Sequence, residues 1–198
     1  MRRQHGFTLV EILVAVIVTA LLLTTIYGVF ISVSDARRRI EADSEIYHRA
    51  RVIFDRIGRE IHGAYWSAEN RRSTFAGGLD EQNRPFLELS TTTATPQSGG
   101  GGIVLVRYLL RDDPENEETR ELVRLERPLF TDQFREGNAL RLASGITGLS
   151  LRFYSAGNWQ DSWDATGGGL PQLIEFTLTQ PSENGPVTFS TTFGVAAQ

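Results

Sequence analysis

Hydrophobic residues follow three successive patterns along the chain, and each pattern predicts a different element. From Phe7 the chain turns apolar, and between Ile12 and Ser34 it carries no charged side chain. About 20 apolar residues in a helix span a bilayer's hydrocarbon core, so this stretch predicts one membrane-crossing helix. It holds no proline and a single glycine, Gly28, which favours an unbroken helix. The second pattern has helical spacing. Tyr47, Ala50, Phe54, Ile57, Ile61 and Ala64 recur every three or four residues as one apolar stripe, with Arg49, Arg51, Asp55, Arg56, Arg59 and Glu60 on the other faces. Counted from Phe7 to about Tyr65, a continuous helix is roughly 90 Å long. The stripe reads as core packing rather than as a cofactor box. Asn70 to Ser73 and the glycines Gly77 and Gly78 break the pattern.

After Pro85 short apolar and alternating runs take over: Phe86–Leu89, Ile103–Leu110, Arg120–Arg127, Ala139–Leu142, Leu149–Tyr154, Leu173–Leu178 and Val187–Phe193. Rich in β-branched and aromatic residues and separated by turn chemistry, they predict half-buried strands. Connections too short for crossover helices make the sheets antiparallel. The run from Arg120 alternates imperfectly, with Val123 and Leu125 on one face and Leu122, Arg124 and Glu126 on the other. The fold class is α+β: a long N-terminal helix, half transmembrane and half amphipathic, packed on antiparallel sheets.

Composition narrows the chemistry. The 198 residues, 40% apolar and 22% charged, suffice for one folded domain with an appendage. There is no cysteine, which removes disulfides, thiol nucleophiles and cysteine-ligated metals. All 20 basic residues are arginines, so lysine Schiff bases and lysine phosphate cradles drop out, and the net charge of −4 gives no case for nucleic acid. His5, His48 and His62 have no motif neighbours of the kind a nucleophile or metal site needs, and no Gly-x-Ser-x-Gly elbow occurs. No catalytic residue, cofactor or metal is expected. Gly99–Gly102 lacks the lysine of a phosphate loop. The acidic run Asp112 to Glu118 lacks the ligand spacing of a calcium loop and reads as a solvated hairpin tip. Asn158, Asp161 and Asp164 lie beside Trp159 and Trp163, where two tryptophans read as a packing or contact surface rather than a cation site.

Glu11 does not fit a plain membrane anchor. An unpaired carboxylate just inside an apolar run costs roughly 1–3 kcal/mol with depth, so it calls for a cationic partner. Its setting is specific. A short leader with Arg2 and Arg3 ends in Gly6, followed by Phe7-Thr8-Leu9-Val10-Glu11 at the head of the apolar helix. This order resembles the prepilin peptidase motif of type IV pilins and type II secretion pseudopilins. The resemblance implies cleavage between Gly6 and Phe7 on the cytoplasmic face and methylation of the new Phe7 amine. It also supplies the cation, because Glu11 would face the Phe7 amine of a neighbouring subunit in a fibre. Arg37, Arg38 and Arg39 after the helix do not favour an inside N-terminus by charge count; the cleavage motif decides the topology.

The rest of the chain permits a narrower comparison. Val106–Leu110, Arg120–Arg124, Ile146–Tyr154, Trp159–Trp163 and Leu170–Phe176 follow one another in an order similar to minor pseudopilin J of the type II secretion system. That resemblance implies a pseudopilin fold with a leader at 1–6 that is removed, a transmembrane and assembly helix at 7–34, an amphipathic periplasmic helix at 35–66 and a β-rich periplasmic domain at 67–198. It implies a structural subunit at the pseudopilus tip that primes assembly for export of folded proteins. Its partners would be the I- and K-like minor pseudopilins, the major pseudopilin and, for processing, the prepilin peptidase. The protein would sit in the bacterial inner membrane before assembly, its N-terminus cytoplasmic. Two alternatives stay open: a minor pilin of a type IV pilus or DNA-uptake machine, and a membrane-tethered periplasmic enzyme or binding domain.

Overall fold

A computed structural model describes residues 8–93, 102–131, 134, 139–182 and 185–195, with only the backbone at 39–43. The chain falls into two compact units, 1–47 and 48–198. Helix α1, Leu9–His62, contributes its N-terminal part to the first and its C-terminal part to the second.

In the first unit α1 carries no charged side chain from Ile12 to Ser34, and Leu9–Arg38, with a mean hydropathy of 2.6, is long and apolar enough to cross a membrane. Three of its hydroxyls bond within the helix. Thr19, Thr24 and Thr25 each donate to the carbonyl four residues back, at 2.7, 2.8 and 2.9 Å. These three donors are thus not left bare toward an apolar medium.

The second unit is built around the C-terminal part of α1 and two antiparallel sheets. Five consecutive strands, β1 (Phe75–Leu79), β2 (Pro85–Thr91), β3 (Val104–Asp113), β4 (Asn116–Pro128) and β5 (Leu140–Ile146), meander into the larger sheet. Its far edge is completed by the short β8 (Trp163–Asp164), paired to β1. The smaller sheet runs β10 (Val187–Gly194), β9 (Leu173–Gln180), β6 (Gly148–Ser155), β7 (Asn158–Gln160). One residue joins the sheets. Thr147 donates its N–H to the Thr179 carbonyl at 2.9 Å, just after Gly145 has turned the chain with a φ of 71° that favours glycine.

Every predicted strand is present, with ends shifted by up to a few residues. The strands not anticipated are instructive. Gly77 and Gly78, expected to be breakers, lie in β1, because the ring of Phe153 in the smaller sheet packs where a side chain at Gly77 would stand. A Cβ there would lie 2.5 Å from Phe153 Cζ and 3.1 Å from the Phe86 carbonyl. Gly77→Val is therefore expected to destabilise the fold by about 1–3 kcal/mol through overpacking, measured as a lowered urea midpoint. The tryptophan loop likewise contains two short strands, β7 and β8, through which the chain passes from one sheet to the other.

The core lies between α1 and both sheets. Ile53, Phe54, Ile57 and Ile61 are buried against Leu87, Leu89, Val106 and Tyr108 of the larger sheet and Leu151, Phe153, Phe176 and Phe193 of the smaller one. Phe54 meets Phe176 edge-on, centroids 5.8 Å apart. The stripe differs from its expected form at three positions. Tyr47 is exposed, and Ala64 is buried beyond the helix end, bridged to Thr91. Glu60, assigned to a solvated face, is buried.

Candidate functional site

Three polar arrangements stand out, at the head of α1, in the core and on the outer face of the larger sheet. At the head, Thr8 and Glu11 form a reciprocal cap. The Glu11 N–H donates to Thr8 Oγ1 at 3.3 Å, while Glu11 Oε2 accepts from the Thr8 N–H and hydroxyl, both at 3.2 Å. This is the capping box expected of a Thr-x-x-Glu run at a helix start, and it satisfies donors that the first turn leaves without partners. The carboxylate also complements the positive end of the helix dipole. At 1.5 Å per residue the charge-free stretch from Ile12 to Ser34 covers roughly 34 Å, close to the ~30 Å of a bilayer core. Glu11 thus belongs at one boundary of that stretch, and the exposed ion pair of Asp35 with Arg38, at 3.5 Å, belongs at the other. Gly6 and Phe7, the expected cleavage and methylation positions, lie outside the described residues.

In the core, Glu60 of α1 meets Arg124 of β4. Arg124 Nε donates to both Glu60 oxygens at 3.0 and 3.2 Å. Its Nη2 approaches Oε1 at 2.9 Å without hydrogen-bond alignment. Its Nη1 donates to Glu126 at 2.7 Å, the Tyr108 hydroxyl donates to Glu60, and Arg56 reaches Glu60 at 3.6 Å. Arg124 is wholly buried, the largest such side chain among the described residues. Burial alone would lower its pKa, but the charge and hydrogen bonds of Glu60 and the bond to Glu126 outweigh it and raise the value. Burial, then the charge and hydrogen bond of Glu60, push the Tyr108 phenol well above its ordinary range, so it remains a neutral donor. Two carboxylates face two guanidiniums, and the cluster is neutral. Sequence reading missed this pair, although a signal exists: Glu60 stands three residues after Ile57 and four before Ala64, on the stripe itself.

On the larger sheet's outer face, the buried Glu121 carboxylate is clamped by Arg111 at 2.8 Å and Arg141 at 3.0 Å. These hydrogen bonds, Arg111's first, hold its pKa below the ordinary value of 4.5. A depressed carboxylate stabilises the fold fully above its unfolded value, and that stability is lost as pH falls through the lower folded value. Wild type is therefore expected to lose stability on acidification below about pH 4.5, and Arg111→Gln/Arg141→Gln to lose less between pH 7 and 3. Urea midpoints at the two pH values check this.

The acidic loops are held by local hydrogen bonds. Asp113, Pro114 and Glu115 turn β3 into β4 as the hairpin tip expected, with Asp113 accepting from the Glu115 N–H at 3.0 Å and the Thr119 hydroxyl at 3.2 Å. Asp164 accepts from the N–H and hydroxyl of Thr166, capping a short 3-10 turn at Ala165–Gly167, while Asp161 points toward Arg152 at 3.8 Å. Among the described residues, no group of three or more acidic or histidine side chains is placed to hold a metal. Trp163 is anchored through Nε1 to the Gly169 carbonyl at 2.9 Å, whereas Trp159 is 37% exposed, its ring tilted by 54° against Tyr154 and covered by the Arg152 guanidinium.

Comparison with known proteins agrees with this layout. Residues 28–189 match the family described as type II secretion system (T2SS), protein J. Residues 1–27 match the prokaryotic N-terminal methylation motif. The pilin-like protein PilA3 of Thermus thermophilus is 32% identical over 76 residues, 37% of this chain. The matched segment spans about a third (33%) of that relative's length.

Proposed function

The chain belongs to the type II secretion system protein J family, and from that premise we propose that it acts as a minor pseudopilin, a structural subunit of the pseudopilus tip. The carrying observation is the match over residues 28–189, joined to a methylation motif at the head of a membrane-length helix. In this reading the leader Met1–Gly6 is removed by the prepilin peptidase, and Phe7 becomes the methylated N-terminus. The N-terminus is cytoplasmic, the β-rich unit lies in the periplasm, and the subunit joins I- and K-like minor pseudopilins to prime a fibre of the major pseudopilin. It binds and positions; it performs no reaction.

Deleting the gene tests the role. The expected result is that secreted proteins accumulate folded in the periplasm and that export returns with the wild-type chain. Intact mass of the membrane-purified protein should show loss of Met1–Gly6 and one added methyl group. Normal export in the deletion strain would overturn the secretion role. The similarity to a pilin-like protein favours one second reading, a minor pilin. Under it the deletion strain would lose surface pili or DNA uptake while export continued.

A further inference from the structure

Among the described residues, the larger sheet ends in β5 and β8 and the smaller in β10 and β7. An edge strand carries a row of backbone groups outside the ladder, and proteins blunt such edges with shortness, bulges or charge. β7 and β8 are short, at three and two residues. β5 carries Arg141 and pairs with β4 through two register shifts. β10 is blunted in none of these ways. It runs eight residues, Val187 to Gly194, in unbroken register with β9, and holds no charged residue and no proline. Two hydrogen bonds fix which way its backbone faces. The Gln172 carbonyl accepts from the Val195 N–H of the β10 chain at 3.0 Å, while the Thr179 carbonyl turns to the opposite side of β9 and accepts from Thr147 at 2.9 Å. Alternation then directs the backbone groups of Val187, Phe189, Thr191 and Phe193 to β9, and those of Thr188, Ser190, Thr192 and Gly194 away from it. These last four residues are exposed, and among the described residues no strand pairs with that side.

We propose that the outer edge of β10 pairs antiparallel with the β10 of a second copy of the chain, joining two four-stranded sheets into one. The symmetry and the side chains both favour a second copy as the occupant. Two identical antiparallel strands are related by a two-fold axis, so this edge is its own complement. With Ser190 opposite Ser190, the outward backbone groups of Thr188, Ser190 and Thr192 meet those of the copy's Thr192, Ser190 and Thr188. On the exposed face hydroxyl then lies opposite hydroxyl. On the other face Phe189 lies opposite Thr191, and Val187 opposite Phe193. Hydroxyl pairs and aromatic–β-branched pairs are the kinds that stabilise neighbouring strands, and no charge meets another. The hydroxyl pairs would extend a row already present within the chain. There Thr177 bonds Ser190 at 2.9 Å and Thr179 bonds Thr188 at 3.2 Å across β9 and β10. This surface lies beyond the function proposed above and does not rest on it.

The chain lacks cysteine, so single cysteine replacements report the contact through a short bismaleimide cross-linker, applied to the full chain in detergent. Ser150 is the control: it is exposed and lies in the same cross-strand row as Thr177 and Ser190, two strands inward. In the paired sheet two Ser150 positions stand about 24 Å apart, five strand spacings, against about 5.5 Å for Ser190. Ser190→Cys should therefore be captured as a homodimer at least about tenfold more than Ser150→Cys. Adding Thr192→Pro to Ser190→Cys removes an outward N–H that β9 does not use, so the urea midpoint should hold while capture falls about tenfold. Where proline disturbs the fold, Thr188→Lys/Thr192→Lys sets like charges opposite one another and should lower capture in the same way. Chains joined only through their apolar helices would be captured equally with and without these substitutions, and that result overturns the proposal. Equal capture of Ser190→Cys and Ser150→Cys overturns it too, as does the absence of a homodimer, including capture of Ser190→Cys to a different protein alone. No readout involves secretion, so failure of this pairing and failure of the proposed function are distinguishable.

Discussion

Arg124→Met is expected to destabilise the second unit by about 3–5 kcal/mol, the largest stability effect of any single substitution considered. The methionine fills most of the space, so lost packing is not the cause. The cost arises because the Glu60 and Glu126 carboxylates, which now accept from Arg124 at 2.7–3.2 Å in the core, lose that counter-charge. Arg56, at 3.6 Å and partly exposed, offsets only a fraction for Glu60. Stability of a domain this size is about 5–15 kcal/mol, so the variant stands near its threshold. Chemical denaturation of the full chain in detergent reads the effect. A loss under about 1 kcal/mol would mean that water enters and solvates the two carboxylates. Adding Glu60→Leu and Glu126→Leu to the same variant should recover much of the loss, since the buried carboxylates that lost Arg124 are then gone.

The second large effect concerns Glu11. Under the proposed function, Glu11→Leu should reduce incorporation into the pseudopilus tip and secretion by at least about tenfold, equivalent to about 1.4 kcal/mol or more, while membrane insertion is unimpaired. Insertion is spared because the substitution removes a carboxylate from the boundary of the apolar stretch. The lost cap has a small local cost, about 1 kcal/mol at most, at a helix end. Assembly suffers because the neighbouring Phe7 amine loses its counter-charge in a low-dielectric setting. Among the described residues the cap with Thr8 uses Oε2, which leaves Oε1 to meet that amine without opening the first turn. Glu11→Gln separates the two roles: it retains a capping oxygen but no charge, and should insert normally and assemble poorly. Full secretion with both variants would show that the contact is dispensable in this subunit. Membrane fractionation and quantitative co-purification with partner pseudopilins supply the readouts.

Much of the fold was legible along the chain because its signals are local. Membrane length is set by composition over Ile12–Ser34. Alternation with turn residues marked β2 to β6, β9 and β10. The hairpin at Asp113–Glu115 follows from Asx and proline chemistry confined to a few residues.

What tertiary structure alone decided are the places where a local preference is overruled by a partner distant in sequence. Gly77 reads as a breaker until the Phe153 ring is seen to occupy its missing side chain. Glu60 reads as solvated, and Arg124 as a charge interrupting an alternation, because each alone would be prohibitively costly to bury. They lie 64 residues apart, and only the folding of β4 against α1 makes each the reason the other can be buried. Periodicity measures what one side chain prefers against water. It carries no record of which charge will be waiting on another element.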